Sequence, residues 1–165
     1  MTRVNPTDDF EQYCWHDCRI WGIEFQTGEP EQGDWTSDLR LDIDYICQWL
    51  CDSGPCRFRV APALLVFHEV MNLAISFERR DPAGYPVPAH PLSISEVERQ
   101  PANKDQSMTD QSQHLWKIKL NDPDGGLISF SASGFTQTLR TEPVLLDEQC
   151  FSLRDRRELL ARFDK

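Results

Sequence analysis

The chain has 165 residues, 39% hydrophobic and 27% charged, with a formal net charge of −10. That is the composition of a soluble globular domain; it excludes a disordered chain, and no apolar run is long enough for a membrane helix. The length fits a single domain, residues 1–165, and the acidic balance argues against nucleic acid, whose binding rests on a basic face.

In chain order, "RIWGIEF" (19–25) is the first predicted strand, with Arg19, Trp21, Ile23 and Phe25 on one face. In the preceding "YCWHDC", positions 14, 16 and 18 share one side if the strand begins early. "QTGEPEQGDWTSD" is a turn-rich connection to "DLRLDIDYI" (38–46), where Leu39, Leu41, Ile43 and Tyr45 alternate with Arg40, Asp42 and Asp44. That is the pattern of a half-buried strand, and "CDSGPC" (51–56) is a turn after it.

The run 57–78 predicts strands at 63–69 and 72–78 with a bend near Val70, and Pro62 marks an edge or a break. A helix over 64–77 is the alternative, which the β-branched and aromatic content disfavours. The proline-rich segment 79–91 is a loop, 92–98 a short strand, and the polar segment 99–114 a mobile loop. "LWKIKL" (115–120) and "GLISFSASGFTQTL" (126–139) flank the hairpin turn "NDPDGG", with a bulge expected at Gly134. Ser152 and Asp155 resemble a capping box opening a helix over 153–163. The fold class predicted is mainly β: an antiparallel sandwich or partly open barrel of about seven to nine strands, with one short C-terminal helix.

Cysteines stand at 14, 18, 47, 51, 56 and 150. "CWHDC" and "CQWLC" imitate zinc-ligand spacing, but strand residues four apart lie ~13 Å from each other, so neither pair chelates along a strand. The N-terminus has no apolar core, so no signal peptide is read and a cytoplasmic protein is expected. There the cysteines are free thiols that pack as small apolar residues, and no metal or cofactor is assigned. No dinucleotide, phosphate-loop or nucleophile-elbow motif occurs, so the reading leans away from an enzyme.

Residues 1–52 carry 12 acidic and 3 basic side chains. A face of that kind attracts a basic partner, so the favoured function is a protein-binding module that works through an acidic N-terminal face. The alternative is a small-molecule-binding or hydrolytic β-barrel with a polar site at its mouth, built from His16, Asp17, Asp42 and Asp44.

The phrases "WHDCRIWGI", "LRLDIDYICQW", "FRVAPALLVFHEVMNLAI" and "GLISFSASGFTQTLRTEPVLLDEQ" resemble a family of small uncharacterised bacterial proteins. The resemblance implies a bacterial, cytosolic, mostly β domain and transfers no catalytic residue. "WHD" also resembles the start of bacterial immunity-type domains, which implies an inhibitor-like role.

Overall fold

The computed structural model describes residues 7–102 and 113–163. Strand β2 (Ser37–Leu50) carries the cleanest alternation: Leu39, Leu41 and Ile43 are fully buried, while Asp38, Arg40 and Asp42 stand on the opposite face. It pairs antiparallel with β1 (Arg19–Thr27) on one side and β3 (Arg57–His68) on the other. A break at Glu69 and Val70, where Glu69 has φ 55°, separates β3 from β4 (Met71–Ser76), so this run forms two strands and not a helix. The second half adds β5 (Leu92–Pro101), β6 (His114–Asp122), β7 (Asp124–Ala132), β8 (Gly134–Leu139) and β9 (Val144–Leu146). Helix α1 (Leu153–Leu160) follows, its Ser152 hydroxyl accepting from the Asp155 N–H as an N-cap.

All nine strands belong to one antiparallel sheet, ordered β4-β7-β6-β5-β1-β2-β3-β8, with β9 also on β3. Among the described residues every strand belongs to this one open sheet, so of the two predicted architectures the partly open barrel is the one formed. The sheet is rolled: His68 pairs Gly134 between β3 and β8, and Met71 pairs Ser131 between β4 and β7. The two ends of the strand order are thus consecutive stretches of the same chain segments. The sheet nevertheless stays open, because β1 and β5 share only two register pairs, Arg19 with Ser93 and Ile20 with Leu92.

The concave side is filled by Leu39, Leu41, Ile43, Leu65, Phe67, Ile94, Trp116, Ile118, Ile128, Phe130 and Phe135, each 3% exposed or less. Phe67 is central, its ring 4.8 Å from Phe130, 5.1 Å from Trp116 and 6.1 Å from Phe135. No helix among the described residues is long and apolar enough to cross a membrane.

Four sequence expectations need correction. First, the β1–β2 register shifts between Ile20 and Gly22: before it Ile20 enters the core in place of Arg19, after it Ile23 packs on the core as expected, Trp21 is only half-buried and Phe25 is 52% exposed. One extra residue in a strand reverses which side chains face in. Second, Pro62 does not break β3: it sits inside the strand opposite Asp44, and on the outer edge it falls between the pairing with β9, which ends at Val60, and the pairing with β8, which starts at Ala63. The Pro62 carbonyl accepts from the Arg140 N–H where the chain leaves β8, and N and O of one residue point the same way in an antiparallel strand, so the missing donor faces away from β2 and leaves that ladder intact.

Third, Cys51 and Cys56 form a disulfide across the "DSGP" turn, with Cα atoms 4.3 Å apart, so six free thiols become four. Fourth, the expected loop 99–114 is strand at both ends, since β5 reaches Pro101 and β6 starts at His114; residues 103–112 lie outside the described ones. The bulge expected at Gly134 is the break between β7 and β8. A β-carbon there would collide with Thr7, whose segment crosses at that point: the Asp8 N–H donates to the Phe135 carbonyl at 2.7 Å.

Candidate functional site

"WHDC" is not the start of a strand. The Cys18 N–H donates to the Trp15 carbonyl at 3.0 Å, and Asp17 sits at φ 61°. A four-residue turn with a left-handed third position favours Gly, Asn or Asp there, and this chain has Asp. The turn lies where β1 and β5 part. The Asp17 N–H donates to the Ile94 carbonyl and the Ile94 N–H to the Cys18 carbonyl, which are the last backbone links between the two edges. The next link is a side chain: His16 Nδ1 donates to the Ser95 carbonyl at 2.8 Å. A carbonyl only accepts, so Nδ1 carries the proton, and Nε2, 3.5 Å from Asp17 Oδ2, is the nitrogen left for other work.

Beyond that link the seam opens into a cleft of about 480 Å³, lined by Phe10, Tyr13, Cys14, Trp15, His16, Ser95, Glu96 and Val97. Tyr13 and Trp15 stack nearly parallel, with ring centroids 5.4 Å apart. Both rings are fixed by polar bonds. Trp15 Nε1 donates to Gln137 Oε1 at 2.7 Å, and the Tyr13 hydroxyl donates to Asp8 at 3.1 Å. Burial and the Asp8 carboxylate hold the Tyr13 phenol above its ordinary pKa. Trp49 lies against His16, 6.3 Å between centroids, at the margin of the cleft. Glu96 is met by Lys119, which also bonds Glu98; those two bonds raise the lysine's pKa.

The four residues named from sequence separate into three roles. His16 lines the cleft. Asp17 is spent on structure, accepting from Asn121 Nδ2 at 2.6 Å and Gln149 Nε2 at 2.9 Å. Asp42 and Asp44 lie on the convex side, where Arg156 of α1 grips both: Nη2 and Nη1 to the two Asp42 oxygens at 2.6 and 3.1 Å, and Nε to Asp44 Oδ1 at 2.8 Å. Asp44 is wholly buried and also accepts from the Phe151 N–H. Burial acts to lower the Arg156 pKa, but the bonds to Asp42 and Asp44 overcome it and the net shift is upward. These two aspartates anchor the C-terminal segment and do not line the cleft. Phe10, Tyr13, Trp15 and Glu96 do line it. Sequence reading passed over them because nothing local says that residues 10–16 and 95–97 meet across a seam.

The thiols differ in reactivity. Burial pushes Cys18 up to about 12, a rise only partly offset by the Ile46 N–H, while Cys14 is exposed. Iodoacetamide at pH 8 should therefore alkylate Cys14 and leave Cys18 unmodified in the native protein, as peptide mass analysis would show. Burial likewise pushes Tyr45 up to about 12. The folded state holds both protons more tightly than the unfolded chain, whose groups titrate near 9.0 and 10.0. This contribution to stability is complete below about pH 9 and is lost as the pH rises toward about 12. Urea midpoints at pH 8, 10 and 11 should fall in that order. Among the described residues no group of three or more His, Cys, Asp or Glu side chains is placed to hold a metal ion. Comparison with protein-family models, curated proteins and solved structures finds no match.

Proposed function

We propose that the protein is a small-molecule-binding β domain whose ligand occupies the seam cleft beside His16. The observation that carries this reading is the cleft itself: about 480 Å³, with the aromatic rings of Phe10, Tyr13 and Trp15 beside the polar groups of His16, Ser95 and Glu96. Ligand sites run from roughly 300 to 1,000 Å³ and share that mixture. The half-buried rings of Phe10 and Tyr13 suit an organic molecule with an apolar face, Trp15, 3% exposed, backs them, and His16 and Glu96 meet the ligand's hydrogen-bonding edge. A thermal-shift and NMR screen of planar heterocycles tests it. Binding should be seen with the native protein and weaken at least tenfold in His16→Ala and in Cys14→Trp, which fills the cleft. Hits that bind both variants unchanged, or no hit at millimolar concentration, would overturn the reading.

A second reading, the inhibitor-like module with a basic protein partner, draws support from a narrower surface than the sequence charge suggests. Glu11, Asp17, Glu24, Asp38, Asp42 and Asp44 all have partners within the fold. Asp8, Asp9 and Asp34 are bonded too, which among the described residues leaves Glu29, Glu31 and Asp52; the first two lie in the β1–β2 connection beside Trp35, which is 76% exposed. Low-salt capture of a basic protein that is abolished by Glu29→Gln/Glu31→Gln/Trp35→Ala supports this reading, and capture indifferent to those changes counts against it. The four free thiols agree with a cytosolic placement, and a Cys51–Cys56 bond that persists in cells would point to an oxidising compartment instead.

A further inference from the structure

The convex side carries a second constellation, far apart in sequence and unrelated to the cleft. Asp38 lies near the start of β2, His68 ends β3, and Thr136 lies in β8; these are three neighbouring strands. His68 Nδ1 is 3.2 Å from Asp38 Oδ2, and His68 Nε2 is 2.9 Å from Thr136 Oγ1. An ionised carboxylate only accepts, so Nδ1 carries the proton of the neutral ring. Nε2 then presents its lone pair, and the Thr136 hydroxyl donates to it. The order is hydroxyl to imidazole to carboxylate, with each link at hydrogen-bonding distance.

The base is held firmly. Asp38 Oδ1 accepts a second bond from the Glu69 N–H at 3.3 Å, and the His68 carbonyl accepts from the Ser133 N–H and hydroxyl at 3.0 and 3.3 Å. The backbone departs from the strand just beyond: Glu69 and Asn72 have φ 55° and 54°, conformations that cost non-glycine residues energy. The His68 and Asp38 side chains are 11% and 14% exposed, whereas Thr136 is half-buried and so reaches the surface. Val66 pairs with Thr136 on one side and with Arg40 on the other, and the Arg40 guanidinium is held by Gln26 at 3.3 Å and Glu24 at 3.7 Å.

We propose that Thr136, His68 and Asp38 form a nucleophilic site for acyl transfer from small carboxylic esters. Thr136 Oγ1 attacks the ester carbonyl carbon while its proton passes to His68 Nε2. The carbon–alkoxide bond then breaks, and the leaving alkoxide takes that proton from Nε2. Water, giving its proton to the same nitrogen, cleaves the acyl-threonine and restores the hydroxyl as the acid leaves. Asp38 acts as a positioning residue that keeps the proton on Nδ1 and stabilises the imidazolium. The half-buried Val66, paired with Thr136, offers an apolar rest for a short acyl chain.

The same bonds also tie three strands together, so the test must separate chemistry from fastening. Treat the intact protein with a fluorophosphonate, which loses fluoride when a nucleophile forms the oxygen–phosphorus bond, and follow p-nitrophenyl acetate hydrolysis in parallel. One adduct should map to Thr136, Thr136→Ser should keep it, and Thr136→Val, which preserves shape, should abolish it. Hydrolysis should fall at least about a hundredfold in Thr136→Val and His68→Gln. No adduct on Thr136, or hydrolysis in Thr136→Val equal to that of the native protein, overturns the proposal. Thr136→Val decides the matter even if His68→Gln fails to fold.

Discussion

Replacing Arg156 by alanine is expected to lower the melting temperature by roughly 6–20 °C. The change removes the cation that serves two carboxylates, one of them, Asp44, fully buried. Leaving a buried charge without its partner costs about 3–5 kcal/mol, and a chain of this size loses about 2–4 °C per kcal/mol. The loss is mainly the penalty on Asp44 and not the worth of the pair, so the double change Arg156→Met/Asp44→Leu should recover much of it. Arg156→Lys should not, because an ammonium cannot fork to both Asp42 oxygens and reach Asp44 as well. Thermal denaturation of the four proteins checks the set. A shift below about 2 °C for Arg156→Ala would mean that water reaches Asp44 and that α1 is not a structural clamp.

Phe67→Ala should cost about 3–5 kcal/mol, seen as a lower urea midpoint at unchanged slope. Its ring meets Trp116, Phe130 and Phe135, drawn from β6, β7 and β8, and is fully buried. Aromatic neighbours on so many strands cannot collapse into the space without moving the sheet, so the cavity persists. Phe67→Leu keeps most of the apolar volume and should lose well under half as much. Equal losses for the two variants would show that the contribution comes from ring geometry and not from filled volume.

The parts of the fold readable in sequence are those set by local periodicity. Leu39, Leu41 and Ile43 alternate with polar neighbours, and that alone orients β2. Trp116, Ile118 and Leu120 do the same for β6, and Ser152 with Asp155 announces α1. Periodicity fails where one residue is inserted: the register shift at Trp21 is invisible in "RIWGIEF", because it depends on how β1 meets β2. The disulfide had a visible signal, two cysteines bracketing four turn-forming residues, which the compartment argument outweighed.

The site was less legible for a different reason. His16 was found because it stands in an unusual cluster of residue types. Its aromatic companions read as ordinary core, and its Glu96 neighbour lies 80 positions on. Asp42 and Asp44 were correctly set on the outward face, but the cation that claims them, Arg156, looked like one more charge on a short helix. The Asp38–His68–Thr136 alignment spans about a hundred residues, and single-chain pattern reading has no means of seeing it.

The rolled sheet has a consequence for how the chain folds. Pairs β1–β2, β2–β3, β5–β6 and β6–β7 join neighbours in sequence, so two meanders can assemble from local contacts. The ladders that unite them join residues 63–76 to 127–139 and 19–20 to 92–93, and each bond there closes a loop of some fifty to seventy-five residues. Chain entropy must be surrendered before those contacts repay it. The meanders therefore come first and the uniting ladders last, and the rate of folding is set by a search across half the chain.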